Sequence, residues 1–198
     1  MFVLTIDQKA SRTGPDLVPA GLAQFARLGK DGATLGPERT VGDELQLATS
    51  DAEVALEVVL SATRTGRWST GVGLGDVDRP LPASIRSGRG AAFINARTAV
   101  DRAKSDATRV AIVGGAQADD VQALVRLLVY LRDRRTAKGW EVYDALAEGL
   151  TQQDVAHRLG ITAGAVSLRA SAGGLRVEEQ AVPALVRALA AADVNAGG

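Results

Sequence analysis

The apolar pattern of this chain changes once, near Gly115, and that change limits the folds open to it. Before it, short β-rich runs alternate with helix-like stretches. "FVLTI" (2–6) is β-rich and ends at Asp7, and "DLVPAGLAQFARL" (16–28) carries apolar residues at helical spacing. "GATLGPERTVGDELQLAT" (32–49) reads as two strands around a tight Gly42-Asp43 turn, with Val41, Leu45 and Leu47 at alternating positions. Ser50-Asp51 forms a cap for an amphipathic helix, "AEVALEVVLSATR" (52–64). A strand with small residues (68–77), a loop (76–90), a helix (90–104) and a last strand, "TRVAIVGG" (108–115), follow. Beyond Gly115 only helical stretches are legible: 119–138, 140–149, 151–160, 163–172 and 178–192, with Pro183 in the first turn of the last or kinking it. The expectation is an α+β chain of two domains, 1–115 and 116–198. The order strand, helix, hairpin, helix, strand, helix, strand predicts a ferredoxin-like sheet with helices on one face, followed by an all-α domain.

Composition removes several classes of chemistry. The 198 residues include no cysteine, which excludes disulfides and thiolate metal sites. One histidine, His157, excludes multi-histidine metal centres and most catalytic triads. Lys plus Arg equals Asp plus Glu at 23 each, so no overall basic excess announces nucleic acid. No signal peptide is legible in "MFVLTIDQ", and the longest apolar run, "ALVRLLVYL", is interrupted by Arg126 and too short to span a bilayer. A cytoplasmic protein with no membrane partner is expected.

The most specific stretch is "TQQDVAHRLGITAGAVSLRAS" (151–171). Thr151 and Asp154 resemble a capping box with Asp in place of Glu. Val155, Leu159, Ile161 and Val166 supply a shared core, and Ala156 is small where two helices must cross. Gly160 falls where the chain turns sharply and a positive φ is cheap, and Thr162 caps the second helix. This spacing is that of a helix-turn-helix (151–172), whose second helix enters the major groove of DNA. "EGLTQQDVAHRLGITAGAVS" resembles the DNA-reading module of sigma-factor region four and of LuxR-type regulators. Thr162, Ala163, Gly164, Ser167 and Arg169 would lie on its exposed face, Arg169 on guanine or on a phosphate. His157, Arg158 and Arg176 would face the DNA backbone. The cluster "RDRRTAK" (Arg132, Arg134, Arg135, Lys138) reads equally as phosphate contacts or as a solvated helix end. Helix-turn-helix proteins usually read two half-sites, so a homodimer is expected; the other reading of 151–172 is a unit for protein contact or a plain structural unit.

In a ferredoxin-like sheet the end of the first strand lies beside the tip of the central hairpin. That brings Asp7 near Asp43. Two such carboxylates repel unless a cation sits between them or one keeps its proton, and Mg²⁺ takes one or two carboxylates with phosphates as further ligands. The alternative is plain: Asp is common at strand ends and in turns. Arg79, Arg86 and Arg89 in the 76–90 loop read as solvated or as phosphate clamps.

"VLTIDQKASR", "ERTVGDELQL", "GVGLGDV" and "GRGAAFINARTAV" stand in the order seen in class III nucleotide cyclase domains, and "VGDEL" resembles the signature loop of diguanylate cyclases. The resemblance implies a palm-like domain with metals on Asp7 and Asp43, a nucleotide contact at Arg39 and a transition-state contact at Arg97. With Arg97 aligned, Phe93 takes the place of the family's Asn and Asn95 is out of register, which implies a degenerate site. "FVLTIDQKASR", "ERTVGDELQ", "WSTGVGLG", "GRGAAFINAR" and the terminal helix-turn-helix together resemble the SatD family over nearly the full length. Two functions follow as expectations. One is a DNA-binding transcriptional regulator with a degenerate cyclase-like sensor or dimerisation domain. The other is a Mg²⁺-dependent nucleotide-processing enzyme using Asp7 and Asp43.

Overall fold

The computed structural model describes residues 1–29 and 32–196. It is an α+β structure with five strands in one mixed sheet and, among the described residues, eight α-helices. Two compact units divide it: Met1–Arg126 with the chain from Leu185 onward, and Leu127–Ala184.

The first unit is built on β1 (Phe2–Gln8), β2 (Ala33–Arg39), β3 (Glu44–Thr49), β4 (Trp68–Leu74) and β5 (Val110–Val113), in the order β2-β3-β1-β4-β5. β1 lies at the centre, antiparallel to both β3 and β4, and β5 is parallel to β4. A strand paired on both edges and covered on both faces has no solvated side, so Phe2, Val3, Leu4 and Ile6 are all buried. Helices α1 (Val18–Leu28) and α2 (Ala52–Thr63) cover one face, joined by a Gln24–Ser61 hydrogen bond. Asp51 caps α2 by accepting from the Glu53 N–H. Val54, Leu56, Val58, Val59 and Leu60 of α2 are buried, each contributing about 1.5–3 kcal/mol.

Helix α3 (Ala91–Ser105) lies on the opposite face, which corrects the expectation of helices on one face only. The reason is legible in its packing. Its inner stripe is Ala92, Ala96, Ala99, Val100 and Ala103, all fully buried, and beneath it β4 presents Gly71 and Gly73. A Cβ on Gly71 would stand 2.1 Å from the Val100 nitrogen, and one on Gly73 2.1 Å from the Ala92 carbonyl. Small residues on both surfaces let helix and sheet backbones meet. The preceding loop is anchored: Ile85 is buried with Val3, Ala48 and Ala92, and Glu38 accepts from the Ser84 hydroxyl and the Ile85 N–H. Val41 is the other departure. It is 76% exposed in the β2–β3 turn rather than alternating inward.

The second unit begins within α4 (Ala118–Asp133) and contains α5 (Ala137–Ala147), α6 (Gln152–Leu159), α7 (Ala163–Ala172) and the start of α8 (Leu175–Ala196). The long helix expected over 119–138 is two: the chain breaks after Asp133, and Thr136 starts α5 by accepting from the Gly139 N–H. α8 runs through Pro183 without ending there. Val142, Ala145, Val155, Ala156 and Val166 form the core, with Leu159 and Ile161 packed against them.

Candidate functional site

Two places could carry function: the end of the sheet at Asp7 and Asp43, and the α6–α7 pair. At the sheet end, strand register decides which side chains meet. Asp7 stands opposite Glu44 on β3 and Ser69 on β4, so these three share the face under α3. Asp43 is one residue earlier, in the turn. Its carbonyl accepts from the Gln8 N–H at 3.2 Å, and it lines a cleft of about 330 Å³ with Gln8, Ser11, Arg12, Asp16 and Arg39.

Both carboxylates under α3 have a cation from that helix. Lys104 Nζ lies 3.1 Å from Asp7 Oδ2 and 3.5 Å from Asp101 Oδ1. Arg97 donates to both oxygens of Glu44, which also accepts from the Thr40 hydroxyl at 2.5 Å. Burial lifts the Asp7 carboxyl above its ordinary value, the bond and charge of Lys104 pull it back, and the charges of Asp43 and Glu44 add to the rise. Lys104 is displaced upward in turn: burial works against its charge, and the bond and charge of Asp7, with Asp101, outweigh it.

Arg39, expected to contact a nucleotide, bonds the Gly42 carbonyl at 2.6 Å and Asp16 at 2.8 Å. The Asp16 carboxyl is held low by the Val18 N–H and then by Arg39. Arg97, the other expected contact, is committed to Glu44. An ammonium on Asp7 competes with a divalent cation for the expected Asp7–Asp43 pair. A guanidinium likewise holds Glu44, and Asp43 lies in the turn one residue before it. Lys104 was not singled out from the sequence, although a signal was there: Arg97 and Lys104 are seven residues apart and share one helical stripe.

The α6–α7 pair is assembled as its residues dictate. Asp154 N–H donates to Thr151 Oγ1 at 3.2 Å and Thr151 N–H to Asp154 Oδ2 at 3.0 Å, completing the capping box. Gly160 closes α6 at φ 64°, and the Thr162 hydroxyl accepts from the Ala165 N–H at the start of α7. Val166 alone of α7 is fully enclosed, while Thr162, Ala163, Gly164, Ser167 and Ser171 face outward.

Arg169 departs from the exposed place expected of it. Leu168 is 71% exposed, and Arg169 turns inward with Glu141 at 3.6 Å. The aliphatic stem of Arg169 thus takes the place where a hydrophobic residue is usual in such modules. Arg158 pairs with Glu148 at 2.6 Å, and Arg176 is exposed and lines a groove with Ser167, Ser171 and Glu179. The basic cluster divides. Arg132 and Arg135 are buried against Glu178 and stack on the rings of Trp140 and Tyr143, which removes them from any outer surface. The sequence signal for this lay in the spacing, by which Arg132 and Arg135 continue the apolar stripe of Val121, Val125 and Leu128 in α4.

No helix of the described residues is long and apolar enough to cross a membrane. Comparison with known proteins adds no relative: no family model, curated protein or solved structure matches the chain.

Proposed function

We propose that this chain is a DNA-binding transcriptional regulator of the SatD type, acting in the cytoplasm as a homodimer. Its N-terminal unit is read as a ferredoxin-like, cyclase-like domain that has kept the frame and lost the chemistry. The sheet order β2-β3-β1-β4 with α1 and α2 on one face supports that frame, and β5 and α3 are additions to it.

The observation that carries the reading is the α6–Gly160–α7 unit. It has a capping box, a left-handed turn, a second capped helix, a shared core and an outward face on α7 clear of other side chains that bury it. That is how a recognition helix must be presented if it is to enter the major groove. The exposed positions are short: Thr162, Ala163, Gly164 and Ser167 bring the helix backbone close to base edges, and Leu168 offers apolar contact to thymine methyl groups. Arg158 and Arg176 flank the pair on the outside, where phosphates would lie.

A mobility-shift assay with genomic fragments, including the chain's own promoter, at moderate salt tests the proposal. A preferred fragment is expected, and Ser167→Ala with Leu168→Ala should change the preference. Absence of any preferred fragment, with and without nucleotides, would sink it. The alternative, a Mg²⁺-dependent nucleotide enzyme, is disfavoured by Lys104 on Asp7 and Arg97 on Glu44. Turnover of any nucleoside triphosphate with Mg²⁺ or Mn²⁺, lost in Asp43→Asn, would restore it.

A further inference from the structure

A DNA-binding unit needs positive charge toward the phosphates, yet residues 127–184 hold as many acidic as basic side chains. Neutrality in total leaves the question of where the charges are spent. Glu178 is enclosed by Arg132 and Arg135. Glu148 is paired with Arg158, and Asp154 is used in the capping box. These three acids are thereby engaged locally, Glu141 stands 3.6 Å from Arg169, and a group of cations gathers on one side.

That group lines a cleft of about 250 Å³ formed by Arg134, Thr136, Lys138, Leu168, Arg169 and Gly173, with Ala172. Arg134 and Lys138 come from the α4–α5 junction and Arg169 from α7, so two separate places in the sequence converge. Among the described residues neither Arg134 nor Lys138 pairs with a carboxylate. Arg134 instead rests on the Tyr130 ring, its Nη1 3.2 Å from the tyrosine hydroxyl. Glu141, 3.6 Å from Arg169, does not line the cleft. The acid-free lining has Leu168 at its rim, on the outward face of α7.

We propose that this cleft seats the sugar–phosphate backbone of duplex DNA, with Arg134, Lys138 and Arg169 holding phosphate oxygens while the outward face of α7 meets the bases. The assignment rests on the DNA-binding reading above and deepens it. It gives Arg169 a positioning role on the backbone in place of guanine readout. It also explains how an electrically neutral unit can bind a polyanion: Glu178, Glu148 and Asp154 are engaged within the fold, and three cations converge beside the recognition helix, Arg134 and Lys138 with no carboxylate partner among the described residues. Phosphate contacts carry no sequence information, so this cleft and the α7 face should separate experimentally.

The test is fluorescence anisotropy of full-length protein with a preferred and a non-preferred duplex, titrated between about 50 and 200 mM salt. Arg134→Gln, Lys138→Gln and Arg169→Gln should each weaken both duplexes equally, by about three- to tenfold, and reduce the slope of log K on log salt by about one. Arg169→Lys should keep the slope, and Arg102→Gln on α3 should change nothing. Circular dichroism confirms that each variant is folded. Unchanged slopes in all three variants, with DNA still bound, would overturn the cleft and leave the DNA-binding reading intact. A changed preference at constant slope would make these residues base readers and overturn it equally. No binding by the wild type at low salt would remove both.

Discussion

Asp7 brings a carboxylate into a place where burial resists its ionisation, and Lys104 makes that ionisation tolerable. The folded pKa of Asp7 lies above its unfolded value, so the folded state holds the extra proton more firmly. That contribution to stability is present in acid and is lost as pH rises through the folded pKa. NMR titration of the side-chain carboxyl should therefore place Asp7 above an ordinary Asp. Lys104→Met should move it higher still, because both lowering effects come from that lysine. An unchanged midpoint in Lys104→Met would show that the contact is not formed in solution. The two carboxylates Asp7 and Asp43 were legible as residues, and the closeness of strand end and turn was legible from element order. What the sequence did not display was register. Only pairing shows that Glu44 rather than Asp43 stands across from Asp7, since a single-residue step exchanges the faces of a strand.

The elements were easier to read than their faces. The runs at β1, β3, β4, α2, α6 and α7 announce themselves by period and cap, and Thr151, Gly160 and Thr162 do what their chemistry predicts. The α4–α5 break was hidden because "RDRRTAK" contains good helix formers; only the Thr136 cap marks it. The side taken by α3 was hidden too, because its alanine stripe is weakly amphipathic, and its complement is a pair of glycines on a different element. That complementarity yields a sharp expectation. Gly71→Ala or Gly73→Ala places a methyl group against α3 backbone that cannot yield without moving the helix, and each should cost about 3 kcal/mol or more in urea unfolding. Gly160→Ala meets open space and suffers only its positive φ, so about 1–2 kcal/mol is expected. Equal costs at Gly71 and Gly160 would show that α3 does not pack as closely as described.

At the scale of the whole molecule, each of the two units carries its own indole. Trp68 is buried in the first unit, edge-on to Phe25 at 6.1 Å. Trp140 lies in the second, under the Arg135 guanidinium at 4.4 Å. Single-tryptophan variants, Trp140→Phe and Trp68→Phe, therefore report on each unit separately. The strongest lever on the second unit is Glu178, whose carboxylate pairs with two buried guanidinium groups, Arg132 and Arg135. Removing a partner from a buried pair leaves charge without compensation, and the cost is about 3–5 kcal/mol. Glu178→Ala should thus lower the denaturant midpoint seen by Trp140 sharply and blue- or red-shift its native emission as Arg135 leaves the ring. Glu178→Gln keeps the shape and hydrogen-bond acceptance at one oxygen and should cost less. Gly73→Ala should act on the Trp68 signal instead. Should Glu178→Ala leave the Trp140 midpoint within about 0.5 kcal/mol of wild type, the buried arrangement of Arg132, Arg135 and Glu178 is wrong. Glu178 would then no longer be engaged inside the second unit, and the charge segregation that lets Arg134, Lys138 and Arg169 meet a phosphate would be weakened.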